Sequence, residues 1–438
     1  MGRADGTKGG GPMELMLLLV LLAVLLATGV PVAFALGGAS LVMFLALDVP
    51  PIVAFQRMAA GMNVFALMAI PFFVFAGDLM ARAGIAERLV RLAEAALGRL
   101  RGGLGQVDVG ASLLFGAVSG SAVASVSALG STLIPMMRAR GYDADYAVNV
   151  TISSAILGIL IPPSHNMILY AAAAPVSVSV GDLFLAGVGP GLLAAAALAL
   201  VAWVVAVRRG YPRGSFPGWG VFLRAAIAAA PGLLAALIII FGILLGVFTP
   251  TESSAVAVLY TLAVGALVYR TLGPRRMLEA AAGAVKTTAM VMLIIGAAGM
   301  FGWLFALLEG PAQLAGWLTS VSTDRIVILG LIVLILLVLG AFMDMAPLII
   351  ITTPIFLPVV MAAGVDPVHF GIIMMLNLGI GLLTPPVGSV LFVGCAVGGI
   401  KPELAVRHLW PFYLALLAVL AITTLVPAVS LWLPEALA

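Results

Sequence analysis

The strongest constraint in this sequence is a pair of adjacent prolines inside an apolar segment. Gly158-Ile159-Leu160-Ile161-Pro162-Pro163-Ser164 interrupts a run that otherwise reads as one membrane helix. Two consecutive prolines remove two backbone donors and disfavour the helical conformation just before them. The helix must open there and leave carbonyls unpaired. Hydrocarbon tolerates opened backbone only where it faces protein or a wet cavity. The pattern returns as Gly381-Leu382-Leu383-Thr384-Pro385-Pro386-Val387. Two interrupted helices at matching places in two halves point to a transport site.

Composition supports the membrane reading. Hydrophobic residues make up 63% of the chain and charged residues 9%, against about 25% charge in soluble domains. Continuous apolar runs over 15–26, 194–207 and 326–342 exclude the alternating pattern of a barrel. At about 20 residues per span there is room for roughly a dozen passes. The single cysteine, Cys395, sits among apolar residues and reads as a core thiol. No P-loop, nucleophile elbow or clustered metal-ligand motif is present, so the sequence argues against an enzyme and against ATP use. Nothing suggests a nucleic-acid partner.

Taken in order, residues 1–12 form a polar, Gly-rich extension expected to be disordered. Spans are expected over 15–28 and 32–47, a loop over 48–61, and a span over 64–80. Residues 81–101 carry arginines with Ile85, Leu89, Leu92 and Ala96 at helical spacing, an amphipathic surface helix. Residues 107–134 are too polar for an ordinary span and read as a re-entrant hairpin with Ser119-Gly120-Ser121 at its tip. The interrupted helix covers 146–174 and a span covers 183–207, giving a first repeat over 13–210. A linker over 211–228 leads to the second repeat, 229–438. There the expected elements are spans at 229–247, 253–269 and 284–307, and a surface helix at 311–321. A hairpin over 326–358 follows with Met343-Asp344-Met345 at its tip, then an interrupted helix over 370–397 and a last span over 409–433.

The repeat can be checked by arithmetic. An offset of 223 pairs Pro162 with Pro385 and, without a gap, Pro135 with Pro358, Gly141 with Gly364, Asp143 with Asp366, Gly158 with Gly381 and Ser121 with Asp344. Breakers and turn residues align in order. Charge then gives an orientation. With 81–101 in the cytoplasm, all but Arg3, Lys8, Arg57 and Arg325 of the 21 Lys and Arg fall on the cytoplasmic side. The first hairpin then opens inward and the second outward, so the repeats are expected to be inverted.

With these features and the Thr249-Pro250-Thr251-Glu252-Ser253 turn, residues 13–433 resemble the large, DctM-like membrane subunit of tripartite ATP-independent periplasmic (TRAP) transporters. The most specific stretches are Phe115–Tyr170, with Ser119-Gly120-Ser121-Ala122-Val123-Ala124 and Ile161-Pro162-Pro163-Ser164, and Gly340–Gly388, with Phe342-Met343-Asp344 and Leu383-Thr384-Pro385-Pro386. The resemblance implies an all-α polytopic fold of the ion-transporter superfamily. In that fold a part with two inverted repeats, each with a re-entrant hairpin and an interrupted helix, moves as an elevator. It also implies sodium-coupled import of organic acids across the bacterial inner membrane, with a small four-helix membrane subunit and a periplasmic substrate-binding protein as partners in the lipid bilayer. A symporter of the same fold that works without a binding protein is the alternative; a channel or scaffold needs neither hairpins nor paired breakers.

Sodium requires oxygen ligands, and unwound backbone supplies carbonyls without burying charge. Following the resemblance, one ion site is expected from Gly340 and Asp344 with Gly381, Thr384 and Val387. The internal repeat then suggests a second from Ser119 or Ser121 with Gly158, Ile161 and Ser164. Ser121, Ser164, His165, Asn166 and Asp344 are candidates for substrate contact. Asp344 stands out because an acid inside an apolar hairpin is costly. The serines and glycines also admit a reading as small packing residues, and His165-Asn166 as a polar pair satisfied within the bundle.

Overall fold

The computed structural model describes residues 12–322 and 324–437, and no strand occurs among them beyond a lone bridge between Arg101 and Arg213. The extension expected over 1–12 lies outside these residues, Pro12 excepted.

Two apolar helices, α1 (Pro12–Ala27) and α2 (Val32–Ala46), meet at the Gly29-Val30-Pro31 turn. The stretch expected as a loop over 48–61 is instead helix α3 (Pro51–Met62). Pro51 stands at the first helical position, where its missing N–H costs nothing and its fixed φ favours helix entry. A 3₁₀ turn (Phe65–Met68) leads into α4 (Ala69–Arg82). The chain then bends by 64° into α5 (Ile85–Leu97), with Gly84 at φ 73 in the corner. Of the expected apolar face Ile85 and Leu89 are buried, Leu92 is half-buried and Ala96 exposed; Val90 and Ala93 are buried and Arg91 exposed, so α5 is amphipathic with its buried face turned toward Val90 and Ala93.

The first hairpin is α6 (Gly103–Ser119) and α7 (Ala122–Ala139). The helix after it runs as α8 (Ala144–Ser154) and α9 (Leu157–Leu160), breaks at the proline pair, and resumes as α10 (His165–Ala173) with a bend of 50°. The long α11 (Val180–Arg208) follows. The linker ends at 218 rather than 228, because α12 (Trp219–Leu244) begins there. Thr249 and Glu252 form a capping box at the start of α13 (Pro250–Ala263), the hydroxyl accepting from Glu252 N–H at 3.3 Å and the carboxylate from Thr249 N–H at 2.8 Å.

The span expected from 284 starts ten residues earlier as α14 (Pro274–Leu307), opened by Gly273-Pro274. The short α15 (Gly310–Val321) precedes the second hairpin, α16 (Arg325–Phe342) and α17 (Met345–Ala362). The second interrupted helix is α18 (Pro367–Gly381) and α19 (Ser389–Gly398). The last span, expected as one piece, is two helices, α20 (Pro402–Leu425) and α21 (Ala428–Leu437); Pro427 disfavours helix at Val426 and splits them.

The shift of 223 read in the sequence recurs in the elements: it carries α5 onto α15, α6–α7 onto α16–α17, and α8–α10 onto α18–α19. The pieces α3, the 3₁₀ turn and α4 fall together on the single helix α14. Helix α14 packs on α2, α3 and α4, and α4 also packs on α13. Each hairpin grips the interrupted helices: α10 lies on α17, α7 on α19, and α16 on α18. Helix α5 touches both α6 and α12 and so joins the two assemblies. Eight described helices are long and apolar enough to cross a membrane, or up to ten with each bent pair counted as one span. Large side chains such as Leu245, Leu259 and Leu267 point outward, as a lipid-facing surface requires.

Candidate transport site at the hairpin tips

Both hairpin tips and the first interrupted helix converge on a cavity of about 300 Å³. The first turns of three helices line it: Ser121, Ala122 and Val123 of α7; His165 and Asn166 of α10; Asp344 and Met345–Pro347 at the start of α17. Ser121, Asp344 and Ser164 occupy the N-cap positions of α7, α17 and α10. Each helix start presents free N–H groups and a positive dipole end. Three of them around one cavity favour an anion. The opposite wall is Ile70 and Val74 of α4 with Thr287, Met290, Val291 and Ile294 of α14.

A second cavity of about 560 Å³ continues from the first, sharing Val74, Ser121, Val123, His165 and Thr287. It runs between α4 and α7 past Ser119 and Ser127 to Asp78 and Arg82. At its mouth Arg82 is paired with Glu279 at 2.9 Å.

The backbone around the first break is tightly packed. A Cβ on Gly116 would lie 2.7 Å from the Cα of Gly158, so α6 crosses the interrupted helix at glycine on glycine. Gly120, at φ 62, sits against the Pro163 carbonyl, 2.5 Å from where its Cβ would be. Pro162 and Pro163 deprive the carbonyls of Gly158 and Ile159 of their helical donors. Ser164 is fully buried and its hydroxyl has no hydrogen-bond partner. Ser119 contacts Ser125 Oγ at 3.2 Å, and Ser125 donates to the Ser121 carbonyl at 2.8 Å. Ser127 and Ser131 bond carbonyls of their own helix, at 2.9 Å each.

The second break repeats the crossing. A Cβ on Gly381 would lie 2.7 Å from the Cα of Gly340. Val387 N–H donates to the Ala341 carbonyl at 3.1 Å, which ties the opened segment to α16. Thr384 donates to the Ile380 carbonyl at 2.9 Å and accepts from Tyr413 at 2.6 Å. Both proline pairs, Pro162-Pro163 and Pro385-Pro386, are cis. The two sites differ in exposure: Pro162–Ser164 are buried, whereas Pro385–Val387 and Asp344 are exposed. Asp344 lines the cavity at its exposed rim, accepting from Ser389 Oγ at 3.0 Å. Ile161 leads into the break in extended backbone, φ −81 and ψ 126.

Sequence reasoning missed Asp108. It is fully buried between α6 and α8. Ser154 Oγ lies 2.9 Å and Ser112 Oγ 3.4 Å from its carboxylate, and Thr151 Oγ1 also contacts it. The Asp108/Ser112 spacing on one helix face is a weak signal in retrospect. Tyr413, Ser389, Thr287 and Met290 were also missed; on ordinary apolar helices they carry no local mark.

Comparison with known proteins agrees with this geometry. The family model described as "Tripartite ATP-independent periplasmic transporter, DctM component" matches residues 19–429. The sialic acid TRAP transporter large permease protein SiaM of Vibrio cholerae is 40% identical, covering 94% of this chain and 95% of that protein. The C4-dicarboxylate TRAP transporter large permease protein DctM of Rhodobacter capsulatus is 38% identical, covering 97% and 100%. The crystal structure of the Alcanivorax borkumensis YdaH transporter shares the fold, with a TM-score of 0.62 at 14% identity over 94% of this chain and 98% of that one. The chain belongs to the DctM component family of tripartite ATP-independent periplasmic transporters, whose large membrane permease it represents.

Proposed function

We propose that this permease imports an organic acid by sodium symport, receiving it from a periplasmic binding protein and working beside a small membrane subunit in the bacterial inner membrane. The observation that carries the reading is the convergence of three helix N-termini on one cavity. Dipole ends and hydroxyls can hold a carboxylate without a buried guanidinium. The relatives named for sialic acid and for C4-dicarboxylates carry acids of different size, which supports the class and leaves the individual acid to the binding protein.

Sodium is written as a cargo ion. Ser164, with its orphaned buried hydroxyl, and the carbonyls freed at Gly158 and Ile159 suit a hard cation at the first break. Ile161, Ser119 and Ser121 complete the candidate set there. At the second break the set is Gly340, Asp344, Gly381, Thr384 and Val387. Val387 uses its backbone donor within the protein and its carbonyl could accept a cation, whereas the Thr384 hydroxyl already accepts from Tyr413, which would have to turn away for it to serve as a ligand. Transport by an elevator motion would carry the hairpins and interrupted helices past α4 and α14, the wall that faces them across the cavity. Two ions moving through 100 mV would supply about 4.6 kcal/mol, at roughly 2.3 kcal/mol per charge.

The test is uptake into proteoliposomes holding both membrane subunits, with purified binding protein outside. Uptake is expected only with an inward sodium gradient and the binding protein together. Transport of free acid without the binding protein would point to the stand-alone symporter. Uptake unchanged when choline replaces sodium would remove ion coupling.

A further inference from the structure

We infer that the cytoplasmic end of α12 holds an anionic phospholipid, with its phosphate between Arg91 and Arg224 and an acyl chain laid along the helix. The headgroup pocket is a cavity of about 700 Å³ bounded by α5, the end of α7 and the linker before α12. Arg91, Arg140 and Arg224 line it together with a single acid, Glu94. That acid is committed, since Arg140 binds it at 2.7 Å. Arg224 reaches only the Gly220 carbonyl, at 3.1 Å, and neither it nor Arg91 is paired with a carboxylate among the described residues. Two guanidinium groups thus face a concave pocket with no counter-charge. Guanidinium binds phosphate through paired N–H donors.

The second observation is what lies beyond the pocket. About one turn along α12 begins a cavity of about 730 Å³, lined by Ile227, Leu234 and Leu237 of α12, Leu92 of α5 and Val268 after α13. Tyr260 also lines it, but its hydroxyl is turned to the Pro231 carbonyl at 2.9 Å. The two cavities adjoin through Arg91 and Leu92, neighbours on α5. From Arg224 to Leu237 the helix rises about 20 Å at 1.5 Å per residue, close to half of a bilayer about 40–45 Å thick with its headgroup regions. Trp219 is 75% exposed and packs edge-on to Phe216 and Phe222 at 5.4 and 5.9 Å. Aromatic residues of this kind mark the membrane interface, which puts the pocket at headgroup depth and the groove in hydrocarbon. A soluble phosphate would use the arginines alone; a phospholipid uses both cavities. The pocket also joins the hairpin, through Arg140, to α12 outside it.

The experiment takes the permease with its small subunit in nanodiscs of equal phosphatidylglycerol and phosphatidylcholine, and counts retained lipids by native mass spectrometry after release. Wild type is expected to retain phosphatidylglycerol over phosphatidylcholine. Arg91→Ala with Arg224→Ala should weaken that retention about thirtyfold, at roughly fivefold per arginine. Leu234→Trp, which fills the groove and leaves the arginines, should also release it. If the double alanine variant does not elute as a folded complex, Arg91→Gln with Arg224→Gln takes its place. Equal retention of the two lipids, retention unchanged in the arginine variant, or retention unchanged in Leu234→Trp would overturn the proposal. So would full displacement of phosphatidylglycerol by millimolar inorganic phosphate, which would identify an anion pocket without a lipid.

Discussion

Gly381→Ala tests the crossing that holds the second site together. Its Cβ would sit 2.7 Å from the Cα of Gly340 and 2.8 Å from the carbonyl carbon and oxygen of the same residue. Carbon atoms pack at about 3.5–4.0 Å, so the shortfall is close to 1 Å. Every clashing atom is backbone, and no rotamer can relieve it. Either α16 or the broken helix must move. Overpacking costs about 1–3 kcal/mol where side chains can yield, and a backbone clash belongs at the upper end. If the proposed ion site spans this crossing, 2–3 kcal/mol corresponds to a roughly 30- to 150-fold rise in half-saturating sodium. The assay is sodium titration of binding-protein-dependent uptake in proteoliposomes. Gly330→Ala is the control: it lies on the same α16, and its Cβ meets nothing within 4 Å. That variant should match wild type, with any stability change a small gain. Gly116→Ala, whose Cβ would lie 2.7 Å from Gly158 Cα, should reproduce the defect at the first break. Sodium dependence in Gly381→Ala equal to that of Gly330→Ala would refute the reasoning.

Three further outcomes are expected. Ser164→Ala removes a buried hydroxyl without a partner, a group that costs about 1–3 kcal/mol when unsatisfied; its melting temperature in sodium-free buffer should equal or exceed wild type, while the stabilisation gained on adding sodium should shrink. Arg209→Ala leaves Asp145, whose side chain is only 10% exposed and which the arginine meets at 2.8 Å, with His408 at 3.4 Å as its remaining ionisable neighbour. With the arginine itself partly exposed, a loss of about 1–3 kcal/mol is expected in thermal unfolding, against less than about 1 kcal/mol for Asp143→Asn. Asp108→Asn should change stability by under about 1 kcal/mol, because a neutral amide can still meet Ser112, Thr151 and Ser154, whereas Asp108→Leu should cost more by orphaning Ser112.

The backbone of this fold was far more legible than its side-chain chemistry. Proline pairs, the Gly120 and Ser121 tip and the turn at Thr249 act locally, so their effects could be read from a few neighbours. What failed was set by distant packing. Residues 51–62 look like a loop although most of them are apolar, because the segment is short for a span and α14, which it packs against together with α2, lies far along the chain. Asp108 carries no local mark because the hydroxyls of Thr151 and Ser154 reach it from more than forty positions away. Tyr413 is invisible for the same reason, reaching Thr384 across 29 positions. The wall formed by Thr287 and Met290 belongs to an unbroken apolar helix, where no periodicity separates a cavity lining from a lipid face.

The two halves show which features the geometry dictates. Shifted by 223, residues that shape the backbone at the breaks and turns keep their identity. They are Gly158 and Gly381 at the crossings, Pro162–Pro163 and Pro385–Pro386 at the breaks, and Gly141 and Gly364 with φ of 81 and 76 at the turns. Side chains that could touch cargo diverge. Ser121 answers to Asp344, Ser164 to Val387, and His165-Asn166 to Gly388-Ser389. Asp108 answers to Leu331, so the buried acid and its hydroxyls belong to one half alone. At each crossing the interrupted helix keeps its glycine at the shifted position, while the hairpin glycine stands one place away, Gly116 answering to Leu339 beside Gly340. A cavity wall admits many residue types, and there the first half is buried and rich in hydroxyls while the second is exposed and acidic. Two breaks built on the same Gly and Pro positions thus present different side chains, and substitutions at equivalent positions in the two halves should not have equivalent effects on sodium-dependent uptake.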